Sequence, residues 1–348
     1  MQAAVLYGKE DVRVETVSLA ELGPGEVQVR IGAALTCGTD VKVYRRGYHA
    51  TMISLPARFG HEFAGVIEAV GPGVTAWAVG QRVVGANSAP CGACFYCMRG
   101  LEELCEDLLF LNGAYAEAIN VPARIVAKNL YLLPDALSFE EAALAEPLAC
   151  VVRGMEEVPV QTGETVVLLG TGPIGLCFIR LCVLAGARVL AVGRRAERLA
   201  LARRLGAAEV YDLAQTPDIV ATLRGRTEGG RGADKVIEAV GRPEAWEQAI
   251  AIARKAAIVN LFGGCPAGTS IPLDTHRIHY EELTLKGTFH HSPRTFAAAL
   301  RLIANGDVPA REFIQQRAPL SALPEILASL ANGTNSAVKV AIDPTGAA

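Results

Sequence analysis

No apolar run in the chain approaches the roughly 20 residues needed to span a bilayer, so nothing in the sequence reads as a membrane anchor. No basic surplus exists: 33 Lys and Arg face 36 Asp and Glu, a net charge of -3. Without such a surplus there is no cationic field to attract nucleic acid or an anionic membrane. The opening residues, MQAAVLYGKEDVRVE, alternate as a strand does and lack the basic, apolar and cleavable regions of a secretory leader. The expected location is therefore cytoplasmic. Repeats and low-complexity segments are also missing, and nine cysteines, an odd number, do not make a disulfide framework. What remains is the composition of a globular protein. Its 348 residues, 51% hydrophobic with 35 glycines, are enough for a large core and two domains.

The texture changes along the chain. Residues 1–149 carry short β-type runs broken by Gly and Pro, such as EVQVRIGAAL and HEFAGVIEAVGPGV, the spacing of an irregular barrel or sandwich. From residue 150 to 286 apolar strands alternate with helical segments: ETVVLLG, PIGLCFIRLCVLAGA, RVLAVG, RAERLALARRLGA, and on through DKVIEAVG, PEAWEQAIAIAR and AAIVNLFG. A parallel, doubly wound sheet covered on both faces requires that rhythm. Residues 287–348 add a helix, PRTFAAALRLIANG, and a last strand, NSAVKVAI, which are expected to return to the first region.

Thiols are concentrated where metal chemistry would want them. Cys91, Cys94, Cys97 and Cys105 lie within fifteen residues. Four soft thiolates at such spacing can close a tetrahedral zinc shell with no position left for water, which makes the site structural. A looser set lies upstream: Cys37 in TCGTD, and His61 with Glu62 in FGHEFAG. Gly60 lets the backbone bend at that point, Thr39 lies two residues after Cys37, and Glu146 is the only acid of AEPLAC. Catalytic zinc takes about three protein ligands and keeps one exchangeable position. The other cysteines, Cys150, Cys177, Cys182 and Cys265, read as small buried hydrophobes.

A phosphate cradle comes next. Gly170, Gly172, Pro173, Ile174 and Gly175 in LLGTGPIG sit between an apolar strand and a helix. In that context the glycines give a tight turn, a close approach to pyrophosphate and close helix packing, and the helix start supplies amide donors. An acid that binds the ribose 2′-hydroxyl of NAD is expected about 20 residues on. The chain has Gly193, Arg194 and Arg195 there instead. Guanidiniums favour a 2′-phosphate, so NADP(H) is expected over NAD(H), which stays possible. Leu261, Phe262 and Gly263 end a later strand, where backbone groups are expected to hold the nicotinamide.

Together, Cys37, Gly60-His61-Glu62, the four clustered cysteines, Glu146-Pro147 and the glycine loop resemble the zinc-containing medium-chain dehydrogenases nearly end to end. The likeness is to the sorbitol and threonine dehydrogenase branch, because Glu146 stands where other alcohol dehydrogenases have a cysteine ligand. The resemblance implies an α/β protein, a GroES-like β-rich catalytic domain joined to a Rossmann domain, with the active site in the cleft between them. It implies two zinc ions per subunit, a small alcohol or polyol substrate, hydride transfer to NAD(P), and a homodimer or homotetramer. Cys37 and His61 would hold catalytic zinc, with Glu62 and Glu146 each either a ligand or a neighbour of one. Thr39 matches the hydroxyl that accepts the alcohol proton. The chain departs from the pattern at Lys42, where a relay histidine often stands. Lysine there either relays the proton, binds an anionic substrate group or is solvated.

Arg45, Arg46, Tyr48 and His49 form a cationic, aromatic patch after the Cys37 loop, read as solvated or bordering the substrate. His276, His279, His290 and His291 match no ligand spacing. Against a zinc ribbon for nucleic acid stand the acidic balance and the nucleotide domain. A zinc-independent quinone or enoyl reductase of the same superfold would lack both ligand sets, and a silent relative would lose Cys37 or His61.

Overall fold

The computed structural model describes residues 1–48 and 53–346, which form two compact units, residues 1–149 with 291–348, and residues 150–290. His49 lies outside the described residues.

The first unit is built mainly on antiparallel pairing, with one parallel pair, Lys339–Asp343 with Ile314–Pro319, at the end of its sheet. Its main path runs through strands Leu130–Leu132, Arg82–Gly85, Glu62–Val70, Val27–Leu35, Lys339–Asp343 and Ile314–Pro319, with Ala118–Val121 also paired to Val27–Leu35. Val27, Val29, Ile31, Phe63, Ile67, Val83, Ile119 and Ile342 turn into a core with Phe59 and Tyr115, all nearly or fully buried. The strand register sets the metal-type residues in place. Leu35 pairs with Glu62 on one side and with Ala341 on the other. One residue further, Thr36 N–H donates to the Val340 carbonyl at 3.0 Å, and Val340 N–H donates to Thr36 Oγ1 at 3.0 Å. The strand that ends at Leu35 therefore delivers Cys37 between the His61-Glu62 pair and Lys339.

The final strand thus belongs with the first unit. A strand, Ile314–Pro319, and a helix, Leu323–Asn332, also lie in this segment, beyond the single helix and strand read from the sequence. IQQRAP has no apolar run and ends on proline, so it carries little strand signal.

The second unit holds a six-stranded sheet, all parallel, in the order Glu209–Asp212, Arg188–Gly193, Thr165–Leu169, Ala233–Glu238, Ala253–Leu261, Thr284–Gly287. Val166, Val167 and Leu168, and Val189, Leu190 and Ala191, are at most 1% exposed, as strands covered on both faces must be. The order reverses at Thr165–Leu169, and a ligand crevice is expected beyond the carboxyl ends at such a switch point. The helix Pro243–Ile252 stops two residues short of PEAWEQAIAIAR, and Ala253 already pairs in the sheet. Guanidiniums of Arg224 and Arg277 take the carbonyls of Ile250, Ala251 and Ala253, which closes the helix there. Among the described residues no helix is long and apolar enough to cross a membrane.

Candidate metal centres and nucleotide loop

The helix Gly38–Arg46 starts on Cys37, which has extended backbone and acts as its N-cap. Thr39 N–H donates to Cys37 Sγ at 3.4 Å, and Cys37 N–H donates to Asp40 Oδ2 at 3.2 Å, a reciprocal capping box with a thiol in the serine position. That box aims the sulfur and also buries Asp40, which is 2% exposed. His61 Nδ1 lies 3.1 Å from Asp40 Oδ1, and Tyr115 donates its hydroxyl to Asp40 Oδ2 at 2.5 Å. Asp40 thus orients the imidazole through one nitrogen and leaves Nε2 for a metal, the arrangement that fixes a zinc-binding histidine. Burial pushes His61 toward the neutral form, but the charges of Asp40 and Cys37 outweigh it and hold its pKa well above the usual value. A site that so favours positive charge at this spot fits a cation.

Gly60 permits the approach. Its φ is +89°, and a β-carbon there would come within 2.6 Å of the Tyr115 ring. Ligand atoms of Cys37, His61 and Glu62 all lie within 4.8 Å of one another. Glu62 is not idle, however: both carboxylate oxygens accept from Lys339 Nζ at 2.5 Å, and the two side chains are 0% and 1% exposed. Glu146, at the start of the helix Ala145–Glu157, is outside that trio. Burial lifts its pKa to about 7, with the His61 charge opposing and the Glu62 charge assisting. His291 Nε2 lies 3.7 Å from Glu146 Oε1 and 3.0 Å from Asn87 Oδ1. Sequence reasoning missed Asp40, Tyr115, Asn87, His291 and Lys339 as parts of this centre. Only Asp40 left a local trace, its place three residues after the capping position.

Thr39 is half-buried at the helix start, whereas Lys42, Arg45 and Arg46 point to solvent and Tyr48 is exposed. The two arginines lie in the last turn, where cations suit the helix dipole.

The four clustered cysteines converge. Cys91 and Cys97 sulfurs are 3.9 Å apart, as are those of Cys94 and Cys105. A tetrahedron with metal–sulfur bonds of ~2.3 Å has edges of about 3.8 Å, and a disulfide needs ~2.05 Å. The spacing fits zinc. Amides of Ala93 and Cys94 donate to Cys91 Sγ at 3.4 and 3.3 Å. Amide donors from Cys97 and Glu106 pull the Cys94 thiol down to about 6, while burial, with the other three thiols, pushes Cys97 up to about 12. Thiols this crowded need a cation before all four can ionise. Cys177 and Cys182 are buried as expected, but Cys150 and Cys265 are only partly so. Cys150 lies in the helix Ala145–Glu157 and Cys265 in a loop.

In the second unit, the loop after Thr165–Leu169 turns at Gly170, with φ +107°, into the helix Pro173–Leu184. A β-carbon on Gly175 would sit 1.9 Å from the Gly170 carbonyl oxygen, so the third glycine is needed for packing. Among the described residues it would meet nothing within 4 Å at Gly172, and no side chain caps the helix. Open space before uncapped amides fits a pyrophosphate. Gly193 ends its strand, Arg194 is exposed, and Arg195 is the N-cap of the helix Ala196–Arg204. Arg198, missed in the sequence, lies one turn on; burial and the Arg195 charge push its pKa down to about 10. At the other strand end, the amides of Phe262 and Gly263 both donate to the Glu238 carbonyl, and the Gly263 carbonyl accepts from Trp246.

Comparison with known proteins agrees with this picture. Residues 23–135 match the model of the alcohol dehydrogenase GroES-like domain, and residues 173–305 that of the zinc-binding dehydrogenase. The chain is 33% identical to erythritol/L-threitol dehydrogenase of Mycolicibacterium smegmatis, covering 99% of this chain and 98% of that one. It is 31% identical to sorbitol dehydrogenase of Bombyx mori, covering 98% and 97%. A zinc-binding dehydrogenase of Sinorhizobium meliloti solved with NADP superposes with a TM-score of 0.90 at 30% identity over 99% of each chain. With a GroES-like β-rich unit, a parallel Rossmann sheet and matches that run end to end, the chain belongs to the zinc-containing medium-chain dehydrogenases of the alcohol dehydrogenase superfamily, in the branch of the sorbitol and threonine dehydrogenases.

Proposed function

We propose that the protein oxidises a secondary hydroxyl of a small polyol, cyclitol or amino alcohol, reversibly, with two zinc ions per chain and NADP(H) preferred over NAD(H). The observation that carries this reading is the convergence of half-buried Cys37 with buried His61 and Glu62, with Asp40 already holding the far nitrogen of the imidazole. The names of its relatives, a sorbitol and an erythritol/L-threitol dehydrogenase, favour a polyol. The clustered Cys91, Cys94, Cys97 and Cys105 would hold the second ion and stabilise their loop.

Zinc, when bound, supplies Lewis acidity toward an alcohol, and the nicotinamide ring supplies a hydride acceptor. The chain's own residues do the rest. Cys37 and His61 hold the ion, with Asp40 fixing the imidazole. Glu62 is held close by Lys339, and Glu146, whose pKa burial lifts to about 7, exchanges a proton or holds a water beside the site. Thr39, placed by its amide on the Cys37 sulfur, accepts the alcohol proton. Lys42 is exposed on the same helix, so Thr39 would pass the proton on toward solvent. Gly170, Gly172 and Gly175 would cradle the pyrophosphate, with Pro173 and Ile174 in the first turn of the helix that follows. Arg194 and Arg195, aided by Arg198, meet the 2′-phosphate. We place the enzyme in the cytoplasm as a homodimer or homotetramer.

The test is zinc analysis followed by a cofactor-reduction screen over polyols, cyclitols, amino alcohols and sugar phosphates. Two zinc ions per chain and a higher kcat/KM with NADP than with NAD are expected. A single ion confined to the clustered cysteines would sink the catalytic reading, and a clear preference for NAD would sink the role of the arginines.

A further inference from the structure

The second unit contains a cavity that the dehydrogenase reaction does not use. It measures about 790 Å³ and is lined by Arg224, Arg231, Arg254, Lys255, Arg277 and Glu281. It lies at the amino ends of two parallel strands, Ala233–Glu238 and Ala253–Leu261. The glycine loop leaves the carboxyl end of Thr165–Leu169, in the same sheet. Five residues of strand at ~3.3 Å each separate the two ends by about 16 Å.

Some of this charge has a local job. Arg224 donates from Nη1 to the carbonyls of Ala251 and Ala253, and Arg277 donates to those of Ile250 and Ala253, where they close the helix Pro243–Ile252. Arg254 donates to Asp234 at 2.7 Å, Arg277 to Glu281 at 2.9 Å, and Arg231 lies 3.6 Å from Glu228. Carbonyl partners fix a guanidinium but do not neutralise it. Among the described residues Arg224 and Lys255 have no carboxylate partner, so five cations against three carboxylates leave an excess of two in a chain whose net charge is -3. One guanidinium would suffice to cap a helix end. Two held there rigidly, with Nε and Nη2 of Arg224 unspent and Lys255 and Arg231 on the rim, make a set of donors organised before any ligand arrives. The volume is that of a small-molecule site.

We propose that this cavity is a second anion site, taking a small molecule with two or more phosphate charges, at the end of the sheet opposite the dinucleotide loop. Its occupant neutralises the excess of cations and ties together the helix ends at Arg224 and Ala251 and the short helix Thr275–Tyr280. It thereby stiffens this end of the nucleotide-binding unit.

Calorimetric titration of the full-length, zinc-loaded protein tests the site, using inorganic pyrophosphate and a hexose bisphosphate, each with and without saturating NADPH. One equivalent of phosphate ligand is expected to bind when NADPH already fills the dinucleotide loop. The double variant Arg231→Glu with Lys255→Glu changes two exposed side chains, neither of which holds the carbonyls that end the helix Pro243–Ile252. Its affinity for the anion is expected to fall at least tenfold, with an unchanged Kd for NADPH and an unchanged dichroism spectrum. Tighter binding of the bisphosphate identifies an organic phosphate ester as the source, and tighter binding of pyrophosphate an inorganic one; both support the site. Loss of all anion binding once NADPH is present, or equal affinity of variant and parent, overturns it.

Discussion

The ion pair of Glu62 and Lys339 offers a sharp test of how the first unit is held together. Neither residue reaches solvent, and the two are 277 positions apart in sequence. Replacing Lys339 with Met keeps the volume and removes the charge, which leaves a buried carboxylate bonded to nothing. Breaking such a pair from one side costs about 3–5 kcal/mol. Glu62→Gln leaves the ammonium stranded and is expected to cost a similar ~3–5 kcal/mol. The double variant removes both charges together, so its loss should fall short of the sum of the single losses by at least ~2 kcal/mol, because groups in contact couple. Urea denaturation of chelator-treated protein, followed by the fluorescence of Trp77 in the first unit, measures all four proteins. Trp246 lies in the second unit and is replaced by Phe in each of them to isolate the signal. Zinc then adds a second readout: freed from Lys339, Glu62 can turn to the metal, and Lys339→Met should bind zinc at the Cys37 centre more tightly than the parent. A loss under ~1 kcal/mol for Lys339→Met, or losses that simply add, would refute the idea that the pair is buried and mutually dependent.

Three further outcomes rest on the same geometry. Asp40→Asn keeps the size but weakens the hold on His61 Nδ1, and zinc affinity at that centre should fall 10–100-fold by competition with a chromogenic chelator, with the four-cysteine ion unaffected. Cys97→Ser should lower the zinc content by one ion per chain in elemental analysis and reduce Tm, because a structural zinc site contributes its binding energy to folding. Gly60→Ala combines a positive φ with a β-carbon 2.6 Å from the Tyr115 ring, whereas Gly73→Ala has φ +79° and open space. The first should therefore cost about 2–5 kcal/mol and the second only ~1–2 in parallel denaturation curves, and equal losses would exclude a role for the ring contact.

What the sequence disclosed and what it hid divide along physical lines. The glycine loop, the clustered cysteines and the alternation of strand and helix are local: each needs only neighbours within about 15–20 residues, so spacing alone carries them. The partners of the metal residues are long-range. Lys339 lies in VKVAI, where a lysine between valines reads as the solvent face of an edge strand, and nothing nearby says that a carboxylate waits two strands over. Its meaning comes from register, since Val27–Leu35 pairs with Glu62–Val70 on one edge and Lys339–Asp343 on the other. Asn87 and His291 meet across 204 positions as well, a contact between two non-strand segments that no local spacing discloses. Asp40 is the intermediate case: C-x-x-D is a capping box with sulfur in place of hydroxyl, visible once a helix is known to start at Gly38. The charge of Asp40 then serves twice, closing a helix end and steering an imidazole. A residue with two such duties tolerates fewer replacements than a zinc ligand judged by its sulfur alone, so Asp40→Glu, which keeps the charge but moves it by one methylene, should disturb zinc binding nearly as much as Asp40→Asn. If Asp40→Glu instead binds zinc like the parent, charge alone matters and the capping geometry does not position the site.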